Sequence, residues 1–228
     1  MVDASDSKTS LDEPHTRKIA PETVVRLFHE LYYGSAEQTW FNTTWLGVPL
    51  LKCPLDLWVY QEIIVETQPD IIIETGTHKG GSALYLAFLL DLLGNAGQVV
   101  SIDVTAFPTL PNHPLITYLH GSSTEDSIVT EVEALVQAKK RVMVILDSDH
   151  SCEHVFKEMS IYGPMVASGA YMIVEDSNVN GHPVKPEHGP GPMEAIEQYL
   201  KTEDDFDIDR KREKFLMTQN PKGYLRKK

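Results

Sequence analysis

Short runs of β-branched and aliphatic residues at 71–73, 99–102, 115–119, 142–146 and 170–174 alternate with segments whose apolar residues recur at helical spacing. No other feature restricts the fold of this chain as much. Runs without polar alternation must be covered on both faces, and parallel strands need long crossovers, so the pattern predicts an α/β fold with a mostly parallel sheet between helices. Two more strand candidates, 206–208 and 215–218, lie too close together for a helical crossover. They are expected to form an antiparallel hairpin at the sheet edge, making seven strands, with the basic stretch 210–214 as their turn and 222–228 as the frayed end of the second.

The intervening segments carry their own stop and start signals. Residues 21–33 place Val24, Val25, Leu27, Phe28, Leu31 and Tyr32 at helical spacing, and a second helix runs from about Pro54 to a stop at Pro69. Further helices are expected over 82–93, ended by Gly94-Asn95-Ala96-Gly97, after Thr124 as N-cap, over 152–162 and over 193–201. The stretch 40–51 reads as a covering loop, and 177–192, with three Gly and four Pro, as a long loop placed to act as a lid. The expected organisation is a mobile segment over 1–20, an N-terminal helix with an aromatic cover over 21–53, and the sheet domain over 54–228.

Charge and composition exclude several partners. The formal charge is −13, and eight of the 20 basic residues fall between Arg210 and Lys228, leaving a strongly acidic body. Such a body is a poor ligand for a phosphate backbone, so no nucleic-acid partner is expected. The longest apolar run, Ala83 to Leu90, is far below the roughly 20 residues that span a bilayer, and the first 20 residues show no apolar leader, so no membrane partner is expected either. Cys53 and Cys152 are too few for a disulfide framework, which makes the cytoplasm the expected compartment.

In an open α/β sheet, ligands bind beyond the carboxyl ends of the strands. Here those positions are polar every time: Glu74 with the loop Thr75-Gly76-Thr77-His78-Lys79-Gly80-Gly81-Ser82, then Asp103, Gly121-Ser122-Ser123, Asp147-Ser148-Asp149-His150, and Glu175-Asp176. The glycine spacing fits neither a dinucleotide nor a Walker-type phosphate loop. An acid directly before the glycines suits a cationic ligand, and Asp103 is placed to accept from ribose hydroxyls, so the first two loops together fit S-adenosylmethionine. Asp147, Glu175 and Asp176 offer hard oxygen donors suited to Mg²⁺ or Mn²⁺. His150, three residues after Asp147, is placed to act as a general base. The overlapping run His150 to His154 also matches an H-x-x-E-H zinc pattern, but a strand, an Asp and a turn precede it instead of a long helix. Trp40, Trp45, Trp58, Tyr32, Tyr33 and Phe41 could line an apolar pocket or serve as core and oligomer contacts, the commoner role; a homo-oligomer is expected on that ground.

These blocks, together with Trp45-x-Gly47, Lys52-x-Pro54 and Tyr60, resemble the cephalosporin hydroxylase family from about Trp45 to the C-terminus. Members are S-adenosylmethionine-dependent, Mg²⁺-binding O-methyltransferases and relatives, including rhamnosyl O-methyltransferases. The resemblance implies a Rossmann-like class I methyltransferase fold over 54–228. It implies a cofactor site drawn from Glu74, Thr75, Gly76, Thr77, Lys79, Gly80, Ser82, Asp103, Ser122, Ser123 and Asp147, and metal ligands at Asp147, Glu175 and Asp176. His150 takes the place of the basic residue that serves catechol O-methyltransferases as general base. The expected reaction is methyl transfer to a hydroxyl of a small molecule, whether sugar, natural product or phenol. A non-haem-metal hydroxylase and a non-catalytic cofactor-binding module are the alternatives.

Overall fold

A computed structural model describes residues 19–94 and 97–228; the expectation for 1–20 lies almost wholly outside them, as do Asn95 and Ala96 of the expected helix stop. Helix α1 (Pro21–Gly34) leads through 3₁₀ turns into a small hairpin, β1 (Thr44–Trp45) with β2 (Val48–Pro49), where the sequence suggests only a loop. Then follow α2 (Pro54–Thr67), β3 (Ile71–Thr75), α3 (Gly81–Leu92), β4 (Gln98–Asp103), β5 (Ile116–His120) and α4 (Asp126–Val136). The second half holds β6 (Val142–Leu146), α5 (Cys152–Tyr162), β7 (Tyr171–Val174), α6 (Pro192–Thr202), β8 (Phe206–Ile208) and β9 (Tyr224–Lys227). Glu125, not Thr124, is the residue that precedes α4.

The sheet order is β5-β4-β3-β6-β7-β9-β8, with the first five strands parallel and β9 antiparallel to both its neighbours. Strand side chains alternate between faces, and both faces are apolar. Ile71, Ile73, Val144, Leu146 and Met172 enter one core with Val132, Met159 and Tyr199 from α4, α5 and α6. Ile72, Met143, Ile145 and Ile173 enter the other with Ile63, Ile64 and Leu86 from α2 and α3. Two-sided burial explains why these strands read as continuous apolar runs. The chain moves outward from β3 in opposite directions, through β4 on one side and β6 on the other, so a crevice opens at their carboxyl ends.

The C-terminal hairpin exists, but its second strand lies elsewhere. Residues 215–218 form no strand: Leu216 has φ +70°, and the Thr218 hydroxyl and Gln219 N–H both donate to the buried Asp56 carboxylate of α2. The expected frayed end is instead β9, an inner strand whose Tyr224 and Leu225 are fully buried. The basic stretch folds back on acidic helix faces, with Arg212 on Glu66, Lys214 on Glu62 and Lys222 on Glu197. Exposed pairs of this kind stabilise little, yet they account for where the cations go.

Helix α1 turns Val24, Leu27, Phe28 and Leu31 to solvent and docks through His29 and Tyr33. The Nδ2 group of Asn178 donates to His29 Nε2 at 3.0 Å, which requires that nitrogen to be unprotonated. Burial lowers the His29 imidazole to about 4. The unfolded chain, with an ordinary histidine near 6.5, therefore binds a proton that the folded chain refuses. Stability should fall as pH drops from about 6.5 towards 4, by on the order of 2 kcal/mol, with no effect above that window. Urea midpoints at pH 7 and 4.5 check this: His29→Gln should narrow the gap between them, and an unchanged gap would assign the acid sensitivity to other groups.

Candidate active site

The crevice is a cavity of about 660 Å³. Its sheet side is built from strand ends: Gly76 after β3, Asp103 closing β4, Ser122 and Ser123 after β5, Asp147 and His150 after β6, and Asp176 after β7. Its opposite wall comes from Tyr33, Trp40 and Phe41 of the N-terminal segment and from Val179, Lys185 and His188 of the 177–192 loop. Tyr33 stacks on Trp40 with ring centroids 5.2 Å apart and packs against Val179 and Val184, which joins α1 to that loop. Trp45 instead meets Tyr85 edge-on beside the core, and Trp58 is exposed.

Of the cofactor residues expected from the sequence, Gly76, Asp103, Ser122, Ser123 and Asp147 line the cavity. Glu74, Thr75, Thr77 and Ser82 are buried beneath it. Strand periodicity explains the difference for Glu74: it shares a sheet face with Ile72, and its register partner is Ser101, whose hydroxyl donates to it at 2.7 Å. It therefore points under α3 and not into the crevice, and among the described residues its Oε1 has no hydrogen-bond partner. Burial raises its carboxyl above the usual range. Gly80 and Gly81 serve packing: a Cβ on Gly80 would lie 2.7 Å from Pro111, and one on Gly81 2.1 Å from the Pro49 carbonyl. Lys79 faces a separate shallow depression with Pro49 and Phe107. Asp103 organises its own rim by accepting from the His78 and Thr105 amides at 2.8 and 2.7 Å.

At the floor, donor atoms of Asp147, His150 and Asp176 all lie within 4.8 Å of one another. His150 Nε2 is 3.3 Å from Asp176 Oδ2 and 3.9 Å from Asp147 Oδ1. Burial pulls the imidazole down, but the carboxylates of Asp176 and Asp147 outweigh it and hold it above its ordinary value. Asp176 is set by an uncommon backbone, φ +53°, with its N–H donated to Asn220 at 3.1 Å. Glu175 stands behind this cluster, 5 % exposed, paired with the buried Lys52, which also reaches Asp147 Oδ2 at 2.6 Å. Burial raises the carboxyls of both Asp147 and Glu175. The two aspartate carboxylates are hard oxygen donors that fit a divalent cation with room for further ligands, and His150 stands beside them.

Two groups here are absent from the sequence reading as parts of the site. Lys52 is one; the sequence marks it as a single cation between Leu50-Leu51 and Cys53-Pro54 and as part of the Lys52-x-Pro54 block of the resemblance, with no role attached. The other is Glu158, fully buried on α5, whose Oε1 accepts from Ser123 and Ser148 at 2.5 and 2.7 Å and lies 3.4 Å from His154. His154 thus serves this network below Ser123 and is not among the clustered donors, so the two ends of the H-x-x-E-H run face different partners. One histidine with two aspartates also departs from the two-His, one-carboxylate set of non-haem iron oxygenases.

A parallel sheet that opens between β3 and β6 onto a crevice lined by strand-end acids is a Rossmann-like α/β fold with its ligand site at the carboxyl edge. A family model described as rhamnosyl O-methyltransferase/CmcI matches residues 37–228, and the chain belongs to that family. It is 39 % identical over 213 residues to a rhamnosyl O-methyltransferase of Mycobacterium bovis (strain BCG / Pasteur 1173P2), covering 90 % of this chain and 85 % of the relative. Among solved structures it resembles the CmcI-N160 apo-structure, with a TM-score of 0.64 and 24 % identity over 82 % of this chain and 76 % of that one. It also resembles a structure described as cmcI-D160 Mg-SAM, with a TM-score of 0.61 and 21 % identity over 82 % and 77 % of the two chains. No helix among the described residues is long and apolar enough to cross a membrane.

Proposed function

We propose that this O-methyltransferase uses S-adenosylmethionine and a divalent cation, Mg²⁺ or Mn²⁺, to methylate a hydroxyl of a small molecule, with a sugar ring as the first candidate acceptor. The observation that carries the reading is the convergence of Asp147, His150 and Asp176 at the floor of the crevice. The relatives' name, rhamnosyl O-methyltransferase, supports a sugar acceptor, and the aromatic wall of Tyr33, Trp40 and Phe41 offers apolar faces on which a ring can lie. Residues 21–53 then act as cover and 54–228 as the methyltransferase domain.

Asp147 and Asp176 would hold the cation, with Glu175 behind them. Gly76, Asp103, Ser122 and Ser123 would bind the donor, Gly76 by permitting close backbone approach and Asp103 through the acceptor capacity left on its carboxylate. When bound, the donor supplies the methyl group, and the cation polarises the acceptor oxygen as a Lewis acid. His150 takes the proton from the acceptor hydroxyl at Nε2, and Asp176 and Asp147 stabilise the resulting imidazolium. The wall residues and the 177–192 loop exclude water and fix the line of attack.

The test is incubation with labelled S-adenosylmethionine and a panel of sugars, natural products and phenols, with and without EDTA. Label should pass to a rhamnose-like hydroxyl, chelation should abolish turnover, and added Mg²⁺ should restore it. Full turnover under EDTA would remove the cation from the mechanism, and transfer to phenols alone would overturn the sugar assignment.

A further inference from the structure

We propose that Lys52 is a positioning residue for the cation site: braced against Glu175, it holds one oxygen of Asp147, so that the other oxygen of Asp147 is set before a divalent ion arrives. The inference rests on the cation reading above. Lys52 is 3 % exposed and comes from the link between β2 and α2, with its own N–H donating to the Leu50 carbonyl at 3.0 Å. Leu50 and Cys53 are buried on either side and Pro54 opens α2, so the backbone that carries the lysine is anchored at both ends.

Its ammonium meets acids from strands that are neighbours in the sheet. Nζ donates to Asp147 Oδ2 at 2.6 Å, at the end of β6, and to Glu175 Oε1, just past β7. Glu74 of β3 acts on the same charge from its buried place under α3. A compact ammonium with three donors can serve such a cluster, and it offsets the repulsion between the buried Glu175 and the partly buried Asp147. The contacts also divide Asp147 in two. Its Oδ2 faces the lysine, while Oδ1 faces His150 and the clustered donors. A partner that fixes one oxygen of a ligand carboxylate fixes the direction of the other, and losing such partners typically weakens metal binding about 10- to 100-fold.

A lysine present only to fill the core would leave cation binding untouched. The experiment is therefore a Mn²⁺ titration by calorimetry of the full chain as wild type, Lys52→Met and Lys52→Arg, without donor or acceptor. The dissociation constant should rise about tenfold in Lys52→Met, with Lys52→Arg between, because arginine keeps the charge but its planar fork does not reproduce the ammonium geometry. A rise of less than about fivefold in Lys52→Met, or tighter binding, overturns the proposal even if the variant melts lower. If Lys52→Met does not fold, Lys52→Arg is judged instead, and a dissociation constant within about twofold of wild type overturns the proposal. A wild type that binds no Mn²⁺ overturns the cation reading itself, whereas a wild type that binds and a Lys52→Met that binds equally overturn only the role of the lysine.

Discussion

Asp147→Asn should lower methyl transfer about 10³-fold, while the melting temperature stays within about 3 °C of wild type. The substitution keeps the shape of the side chain and removes its charge. At Oδ1 that charge faces His150, 3.9 Å away, and the cluster shared with Asp176. An amide there neither attracts a divalent cation nor stabilises a protonated imidazole, so two contributions to the reaction are lost together. Stability responds differently, because burial already holds the Asp147 carboxyl above its usual range, which marks its ionised form as costly to the fold. Lys52 keeps Glu175 as its partner after the change, so the ammonium is not stranded. Initial rates at saturating donor and acceptor, beside a thermal melt, separate the two effects. A variant that retains more than about a tenth of wild-type turnover would remove Asp147 from the reacting centre.

Which parts of this architecture could be read from the sequence follows from how local their causes are. Strands β3, β6 and β7 announce themselves because each is buried on both faces, and the acids just past β6 and β7 stand out against those apolar runs. Asp147 and Asp176 were legible as strand-end acids for that reason. Glu74 was legible as a strand-end acid but not in its orientation, because position along a strand says nothing of its face; the register with Ser101 shows that it points beneath α3. Strand β9 was hidden by Arg226 and Lys227, which make an inner strand look like a polar tail, while Phe215 to Thr218 looks like a strand but is hooked onto Asp56. Lys52 is the least legible of all, because its partners lie 95 and 123 residues away. Tyr33, Trp40 and Phe41 were visible as aromatics, but their place on the cavity wall depends on how α1 docks against the 177–192 loop.

Gly76→Ala should destabilise the protein by more than about 3 kcal/mol and remove activity from whatever fraction still folds. Gly76 follows β3 with φ +90°, a left-handed conformation that costs an alanine about 1–2 kcal/mol by itself. The larger difficulty is spatial. A Cβ at this position would lie 1.8 Å from the Asp147 carbonyl oxygen and 2.6 Å from its carbonyl carbon, and backbone cannot swing aside as a flexible side chain can. The end of β3 is held on both sides at this level, with the Asp147 N–H donating to Thr75 O at 3.1 Å and the Gly76 N–H to Ile102 O of β4 at 2.8 Å, so relief requires β3 and β6 to part. Parting them moves Asp147 relative to Lys52, His150 and Asp176, which is why activity should fall with stability. Gly169→Ala supplies the comparison, since Gly169 has φ +80° but, among the described residues, nothing within 4 Å of its added Cβ. It should show the conformational cost alone, about 1–2 kcal/mol, with normal turnover. Equal destabilisation of the two variants in urea melts would show that the contact between strand ends is not what requires glycine at position 76.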